Sequence, residues 1–264
     1  MDTILLIGCG NMGGAMLAGW LAGGFDPARF TIVDPVLAEA PAGVELLREL
    51  PAGRTFDAIL LGIKPQMLDA LAPAIAPLAG PQTMVLSILA GAELASIAAR
   101  FPQAAGYLRI MPNLAAALGK SPVALVSQGL SAAGQAAITV LMAPLGTPEW
   151  LEEAQFDLVT ALAGSGPAFV YRFIDALAAG ATALGLPGDQ AQRLAVSMVE
   201  GASALAAASP HSAAELARRV ASPGGVTQIG LDILDADQAL ARLIEATLKG
   251  AAERSAEMAQ ISRG

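Results

Sequence analysis

Residues 3–20 read TILLIGCGNMGGAMLAGW, and the reading of this stretch decides the fold. The aliphatic run TILLI has strand character. It passes directly into Gly8-Cys9-Gly10-Asn11-Met12-Gly13, spaced G-x-G-x-x-G, and then into a helical pattern rich in small residues. A lone G-x-G-x-x-G is weak evidence. Between a strand and a helix, however, its glycines permit a tight turn and let a pyrophosphate approach the helix N-terminus. A second strand, FTIVD, ends in Asp34, 24 residues after Gly10, near the place where an acid meets the adenine ribose of a dinucleotide. The other reading of Asp34 is a helix N-cap with Pro35 at the first helical position, and the two roles are compatible. Cys9 reads as a small filler between glycines rather than a redox thiol.

Outward from this motif, short apolar runs alternate with helical stretches: RFTIVD, DAILLGI, MVLSILA and AGYLRIMP. Such alternation implies a parallel sheet with crossover helices. From about Glu152 the strands stop, and the remainder reads as helix after helix. The expected fold is therefore an α/β N-terminal Rossmann-like domain, residues 1–152, followed by a C-terminal all-α domain, residues 153–264. No low-complexity linker or short repeat separates them.

Composition narrows the partners. Fifteen basic against 23 acidic residues give a formal charge of −8, which argues against nucleic acid and anionic membrane surfaces. One cysteine excludes an intrachain disulfide, and nothing groups residues as metal ligands, so a reducing cytoplasm is expected and no metal. Leu6-Ile7-Gly8-Cys9 mimics a lipoprotein cleavage box, but eight residues leave no room for an apolar leader. Residues 70–92 carry no charge, yet Pro73, Pro77, Gly80 and Pro81 break them into turn, strand and loop rather than a membrane span.

Late in the chain SPGGVT, residues 222–227, forms a corner between two helical patterns. In HSAAELARRVA, Ser212 and Glu215 have capping-box spacing, and Thr227 is placed to start the helix TQIGLDIL. The bland reading is a turn, in which Pro223 stops one helix and Gly224 or Gly225 takes positive φ. The sharper reading is an anion-sized nest of backbone N–H groups at a helix start. A base for alcohol oxidation is hard to find. His211, the only histidine, lies in a polar turn, and Lys64 sits at a strand end where it is either solvated or a cofactor contact. A protonated C=N bond removes that need, because it already carries the charge that draws a hydride.

The order GCGNMG, IKPQ, RIMPN, TALAGSGPAFVY, SPGGVT resembles pyrroline-5-carboxylate reductase across essentially the whole chain. The resemblance implies an enzyme that reduces a small cyclic imine to proline with NAD(P)H, built from a Rossmann domain and a helical domain that forms an interlocked homodimer, often in a ring of dimers. It assigns Gly8, Cys9, Gly10, Asn11, Met12, Gly13, Asp34, Ile63, Lys64, Pro65, Ala90 and Asn113 to the cofactor. The backbone N–H groups of Gly224, Gly225, Val226 and Thr227, with Ser222 at the start of the corner, could hold a substrate carboxylate and the Thr227 hydroxyl the ring nitrogen, which makes Thr227 the candidate catalytic residue; the resemblance places the product against Val226 and Thr227. Glu153 is a candidate substrate contact, set against a surface helix charge. Asp34, where many relatives have serine, implies that NADH is favoured over NADPH, because a carboxylate repels a 2′-phosphate; Arg48 or Arg54 is the cation that could offset it.

Three departures stand out. Leu114-Ala115 follows RIMPN where many relatives have Thr-Pro, the span from Asp34 to Asp57 is short, and Gly164, Ser165, Gly166 and Pro167 are explained as readily by close helix packing as by ligand contact. The rivals are a related imine reductase, a β-hydroxyacid dehydrogenase, which needs a lysine where this chain has Val170, and a non-catalytic nucleotide-binding protein.

Overall fold

The structure, a computed structural model, describes the backbone of residues 1–263 and the side chains of residues 1–260. The described residues contain one eight-stranded sheet. Its strands are β1 (Ile4–Ile7), β2 (Phe30–Val33), β3 (Glu45–Leu47), β4 (Ala58–Leu61), β5 (Met84–Ser87), β6 (Gly106–Met111), β7 (Ser121–Gln128) and β8 (Gly146–Trp150). They lie in the order β3-β2-β1-β4-β5-β6-β7-β8. β1 to β6 are mutually parallel in the Rossmann order, with β1 flanked by β2 and β4. β7 returns antiparallel to β6, and β8 runs parallel to β7.

The strands read as unbroken apolar runs because both faces are covered. On β1, Ile4 and Leu6 enter one core with Met16, Trp20, Phe30 and Leu141, whereas Leu5 and Ile7 enter the other with Ile59, Leu61, Ile75 and Phe101. Helix α1 (Asn11–Ala22) and α4 (Ala132–Met142) cover the first face, and α2 (Leu68–Ile75) and α3 (Leu94–Arg100) the second. Trp20 stacks on Phe30 at 5.3 Å between centroids and donates its indole N–H to the Leu141 carbonyl at 2.8 Å, so the largest buried side chain carries no unmet donor. Between β2 and β3 no helix forms; residues 34–44 are irregular. The helix expected to start at Asp34 and Pro35 is absent.

After β8 come α5 (Phe156–Val159), a π-helical turn (Thr160–Gly164), α6 (Gly166–Ala183), α7 (Gly188–Ala208), α8 (Ala213–Val220), α9 (Val226–Asp235) and α10 (Ala239–Arg263). No described residue beyond Trp150 is in a strand. The described chain forms two compact units. One comprises Met1–Ser165 and the chain from Gly250 onward; the other is Gly166–Lys249. The first unit takes in α5, which packs on the sheet through Phe156, and the end of α10. There Ser255 donates to Asp157 at 2.7 Å, and Gly91, at φ +75°, lies so close to the helix that a Cβ would stand 3.0 Å from the Met258 backbone.

The second unit has little core of its own. Ala178 of α6 packs against Ala191 and Ala195 of α7, while Leu194, Leu205, Ile229, Ile233 and Leu243 are exposed. Among the described residues no helix is long and apolar enough to cross a membrane.

Candidate active site

The glycine motif turns between β1 and α1, and its three glycines answer to different constraints. Gly8 takes φ +83°, and a Cβ there would stand 2.9 Å from the Gly62 carbonyl oxygen, so turn and neighbouring strand both require glycine. A Cβ on Gly13 would stand 3.1 Å from the Gly8 oxygen, which ties the helix closely to the strand. Gly10 differs, because a Cβ there would meet nothing within 4 Å. The protein itself does not demand that glycine; the open space it leaves is at the N-cap of α1. That helix has no side-chain cap and no acid in its first turn, so its orphan N–H groups and positive dipole end are open to an anion. The residues fit a dinucleotide pyrophosphate.

Asp34 follows the end of β2, beside this loop. Its Oδ2 accepts from Cys9 N–H at 2.9 Å, and its Oδ1 accepts from Val36 N–H at 2.9 Å and Leu37 N–H at 3.0 Å. Burial pushes its pKa up, but the three backbone N–H donors and nearby Arg48 outweigh burial and hold it below the usual carboxylate value. Asp34 is thus the cap of an irregular turn and the brace of the glycine loop. Oδ1 is saturated and Oδ2 retains one lone-pair direction, enough for one ribose hydroxyl rather than two.

Arg48 sits in the same place. Its guanidinium donates to the backbone oxygens of Asp34 at 2.9 Å, Leu37 at 2.6 Å and Ala38 at 3.3 Å, closing the loop after β2. Arg54 is bound instead to Glu45 at 2.7 Å, and Arg29 to Asp2 at 2.8 Å. Cys9 is buried and its thiol is pushed up to about 11, first by burial and then by the Asp34 charge. A thiol so hard to ionise is inert packing.

Ile63, Lys64 and Pro65 follow β4, Ala90 follows β5, and Asn113 follows β6, all beyond the carboxyl ends of parallel strands where α/β sheets bind ligands. Lys64 is exposed and caps a short 3₁₀ turn through its backbone, while Ile63 is partly buried. Asn113 is engaged internally. Its Nδ2 donates to the Ala163 carbonyl at 3.0 Å, and its Oδ1 accepts from Ala115 N–H at 2.9 Å. Glu153 is a half-exposed acid with internal partners. Its Oε1 accepts from Arg109 Nη1 at 3.1 Å and from Leu94 N–H at 2.9 Å. Arg109 was not read from the sequence, although a lone arginine inside the apolar strand LRIM is the signal of a buried charge that must be paired.

In the second unit, Ser222 to Gly225 form a tight turn closed by Gly225 N–H donating to Ser222 O at 2.9 Å. Gly224 takes the positive φ, +69°, after Pro223; Gly225 is extended at φ −81° and is the N-cap of α9. Thr227, expected to start the helix, is its second residue. The α9 N-terminus has no side-chain cap and no acid in its first turn, Thr227 Oγ1 makes no hydrogen bond, and Val226 is 92% exposed. Ser222, Gly224, Gly225, Val226 and Thr227 therefore surround one uncapped helix start. His211 lies in the bend before α8, whose N-cap Ser212 accepts from Glu215 N–H at 3.3 Å.

An eight-stranded sheet in Rossmann order with a glycine loop shaped for a pyrophosphate, followed by a helical unit, defines an NAD(P)H-dependent oxidoreductase. Residues 3–91 match the family model "NADP oxidoreductase coenzyme F420-dependent", and residues 153–258 match "Pyrroline-5-carboxylate reductase dimerisation". The chain is 35% identical to a pyrroline-5-carboxylate reductase of Pseudomonas aeruginosa, with 97% of each chain covered, and 33% identical to that of Glycine max over 97% of this chain and 96% of the other. A solved pyrroline-5-carboxylate reductase from Coxiella burnetii superposes with a TM-score of 0.90 at 26% identity, covering 97% of this chain and 98% of that one. The chain belongs to the pyrroline-5-carboxylate reductase family.

Proposed function

We propose that the chain reduces 1-pyrroline-5-carboxylate to L-proline, the final step of proline biosynthesis, as a cytoplasmic homodimer that assembles further into a ring of dimers. The observation that carries this reading is the uncapped, acid-free start of α9 with an unbonded Thr227 hydroxyl beside it. The first-turn N–H groups suit the substrate carboxylate, and Thr227 Oγ1 accepts a hydrogen bond from the protonated ring nitrogen. A reduced nicotinamide held by the glycine loop would supply the hydride to the imine carbon. The electron pair of the C=N bond then passes to nitrogen, which keeps its proton, so the protein needs no general base. Gly8 to Gly13, Asp34, Ile63, Lys64, Pro65 and Ala90 are the cofactor's contacts in this reading. The exposed apolar side chains of α7, α9 and α10 suit a dimer face, since the second unit alone buries too little to be stable.

The test is oxidation of the reduced cofactor on adding pyrroline-5-carboxylate to the purified protein. Thr227→Ala should lower kcat/KM for the imine about 10- to 100-fold with cofactor affinity unchanged. Equal turnover would remove Thr227 from the mechanism.

NADH is the cofactor favoured in this reading. At an effective dielectric near 20, two unit charges about 4 Å apart interact by roughly 4 kcal/mol, so the Asp34 carboxylate opposes a 2′-phosphate. Arg48, bound to the loop behind it, offsets part of that repulsion. Asp34→Ser should raise NADPH efficiency relative to NADH by at least about tenfold, or ~1.4 kcal/mol, and adding Arg48→Ala should take part of that gain away. A wild type that prefers NADPH would refute the assignment.

A further inference from the structure

Successive side chains of a strand point to opposite faces. On β6, Leu108 and Ile110 enter the main core. The other row, Arg109 and Met111 with Asn113 just beyond, meets one continuous stretch, residues 153–164. Arg109, only 4% exposed, lays its guanidinium 3.9 Å from the ring centroid of Phe156 and binds Glu153, so it holds the start of that stretch. Met111 lies under its end, where a Cβ on Gly164 would stand 3.1 Å from the sulfur. Asn113, 6% exposed, binds the Ala163 carbonyl.

That last bond repairs a defect written in the sequence. In a continuing α-helix the Ala163 carbonyl would accept from the N–H of residue 167, but residue 167 is proline and has none. The backbone instead opens into a π turn closed by Ser165 N–H donating to Thr160 O at 3.0 Å, and the Asn113 side-chain amide supplies the missing donor. RIMPN and TALAGSGPA are thus two halves of one device. All of its contacts lie within the first compact unit, whose run Met1–Ser165 it closes.

We propose that Arg109 and Asn113 are positioning residues for imine reduction, locking residues 153–165 onto β6 beside the carboxyl end of the sheet, the edge where α/β folds bind their ligands. The inference rests on the reading of the chain as an imine reductase.

The experiment compares Asn113→Ala, Asn113→Asp and Arg109→Met in the full chain. It measures cofactor Kd by fluorescence titration, kcat and KM for pyrroline-5-carboxylate, and hydrogen exchange of residues 160–165. Asn113→Asp keeps an oxygen for Ala115 N–H but sets another oxygen against the Ala163 carbonyl. Both Asn113 variants should therefore lose exchange protection at Ser165 and lose about tenfold or more in kcat/KM for the imine, with cofactor Kd within about twofold of wild type. Arg109→Met should show the same pattern more weakly, and it serves as the measurement should the Asn113 variants not fold. Wild-type behaviour of Asn113→Asp would overturn the proposal, leaving Asn113 a turn cap only; so would a weakened cofactor Kd with the imine kinetics intact. A wild-type enzyme inactive on the imine while the exchange effects appear would refute the functional reading and leave the clamp standing. A wild-type enzyme that is active, with unchanged variants, would refute the clamp.

Discussion

Glu153 and Arg109 form an ion pair whose halves differ in solvation, and the two truncations should therefore differ in stability. The Arg109 side chain is 4% exposed and that of Glu153 is 40% exposed. Burial, partly offset by Glu153 and then by the charges of Asp157 and Glu93, pulls the Arg109 pKa below its ordinary value, the mark of a cation held out of water. Glu153→Ala strands that cation. Breaking a buried pair in this way costs about 3–5 kcal/mol, and water reaching the exposed carboxylate side lowers the figure to roughly 2–4. The substitution also removes the acceptor of Leu94 N–H at the start of α3, where the N-cap Glu93 makes no side-chain cap bond, adding about 1 kcal/mol. Arg109→Met removes the cation instead. Its thioether fills the stem's place over Phe156, and the remaining carboxylate keeps both its water and Leu94 N–H, so the loss should be about 1–2 kcal/mol. The assay is urea unfolding at fixed pH and protomer concentration. Glu153→Ala should be the less stable by about 2 kcal/mol, and Arg109→Met added to it should recover part of its loss. Equal losses, or a double variant worse than both, would refute the reasoning.

Two further outcomes follow from other groups. With its thiol at about 11, Cys9 should carry only about one thiolate in a thousand at pH 8, so iodoacetamide should label the unfolded chain readily and the native chain negligibly; rapid native labelling would contradict the burial. Asp34 and Asp57 have folded pKa values below the usual carboxylate value, Asp57 because the Asp2 N–H binds it, against the opposing effect of burial, with a further bond from Thr3 N–H. Their contribution to stability is therefore present above about pH 4 and lost as pH falls through the lowered values. Unfolding curves should weaken below that pH, and Asp34→Asn should flatten part of the loss.

β1, β2, β4, β5 and β6 were legible because each is a largely apolar run punctuated by glycine, proline or aspartate. β3, β7 and β8 were not. Glu45–Leu47 is a three-residue edge strand with no pattern to detect, and Gly146–Trp150 contains a proline and a glutamate that suit an outer strand as well as a loop. The helix expected after Asp34 failed for a local reason. The Asp34 carboxylate binds the N–H groups of Val36 and Leu37 in a turn, and Arg48, 14 residues away, takes the carbonyls that a helix would have used. Local propensity carries no trace of a cation arriving from that distance.

The site divides along the same line. Glycines needed for turns or close approach can be read from spacing, because their constraint is local. Asn113 and Glu153 cannot, because in sequence each is a polar residue near a motif, and what decides between ligand contact and internal partner is a contact far along the chain: Ala163 for Asn113, Arg109 and Leu94 for Glu153. Pro167 held the missing clue. A proline at the second residue of a helix that follows another helical segment leaves a carbonyl four residues earlier without its donor, and a buried carbonyl needs one. A side-chain donor near Ala163 meets that need, and of the quoted motifs RIMPN alone carries an amide that the structure buries. The proline marks the need in the sequence, and the folded chain shows which group meets it.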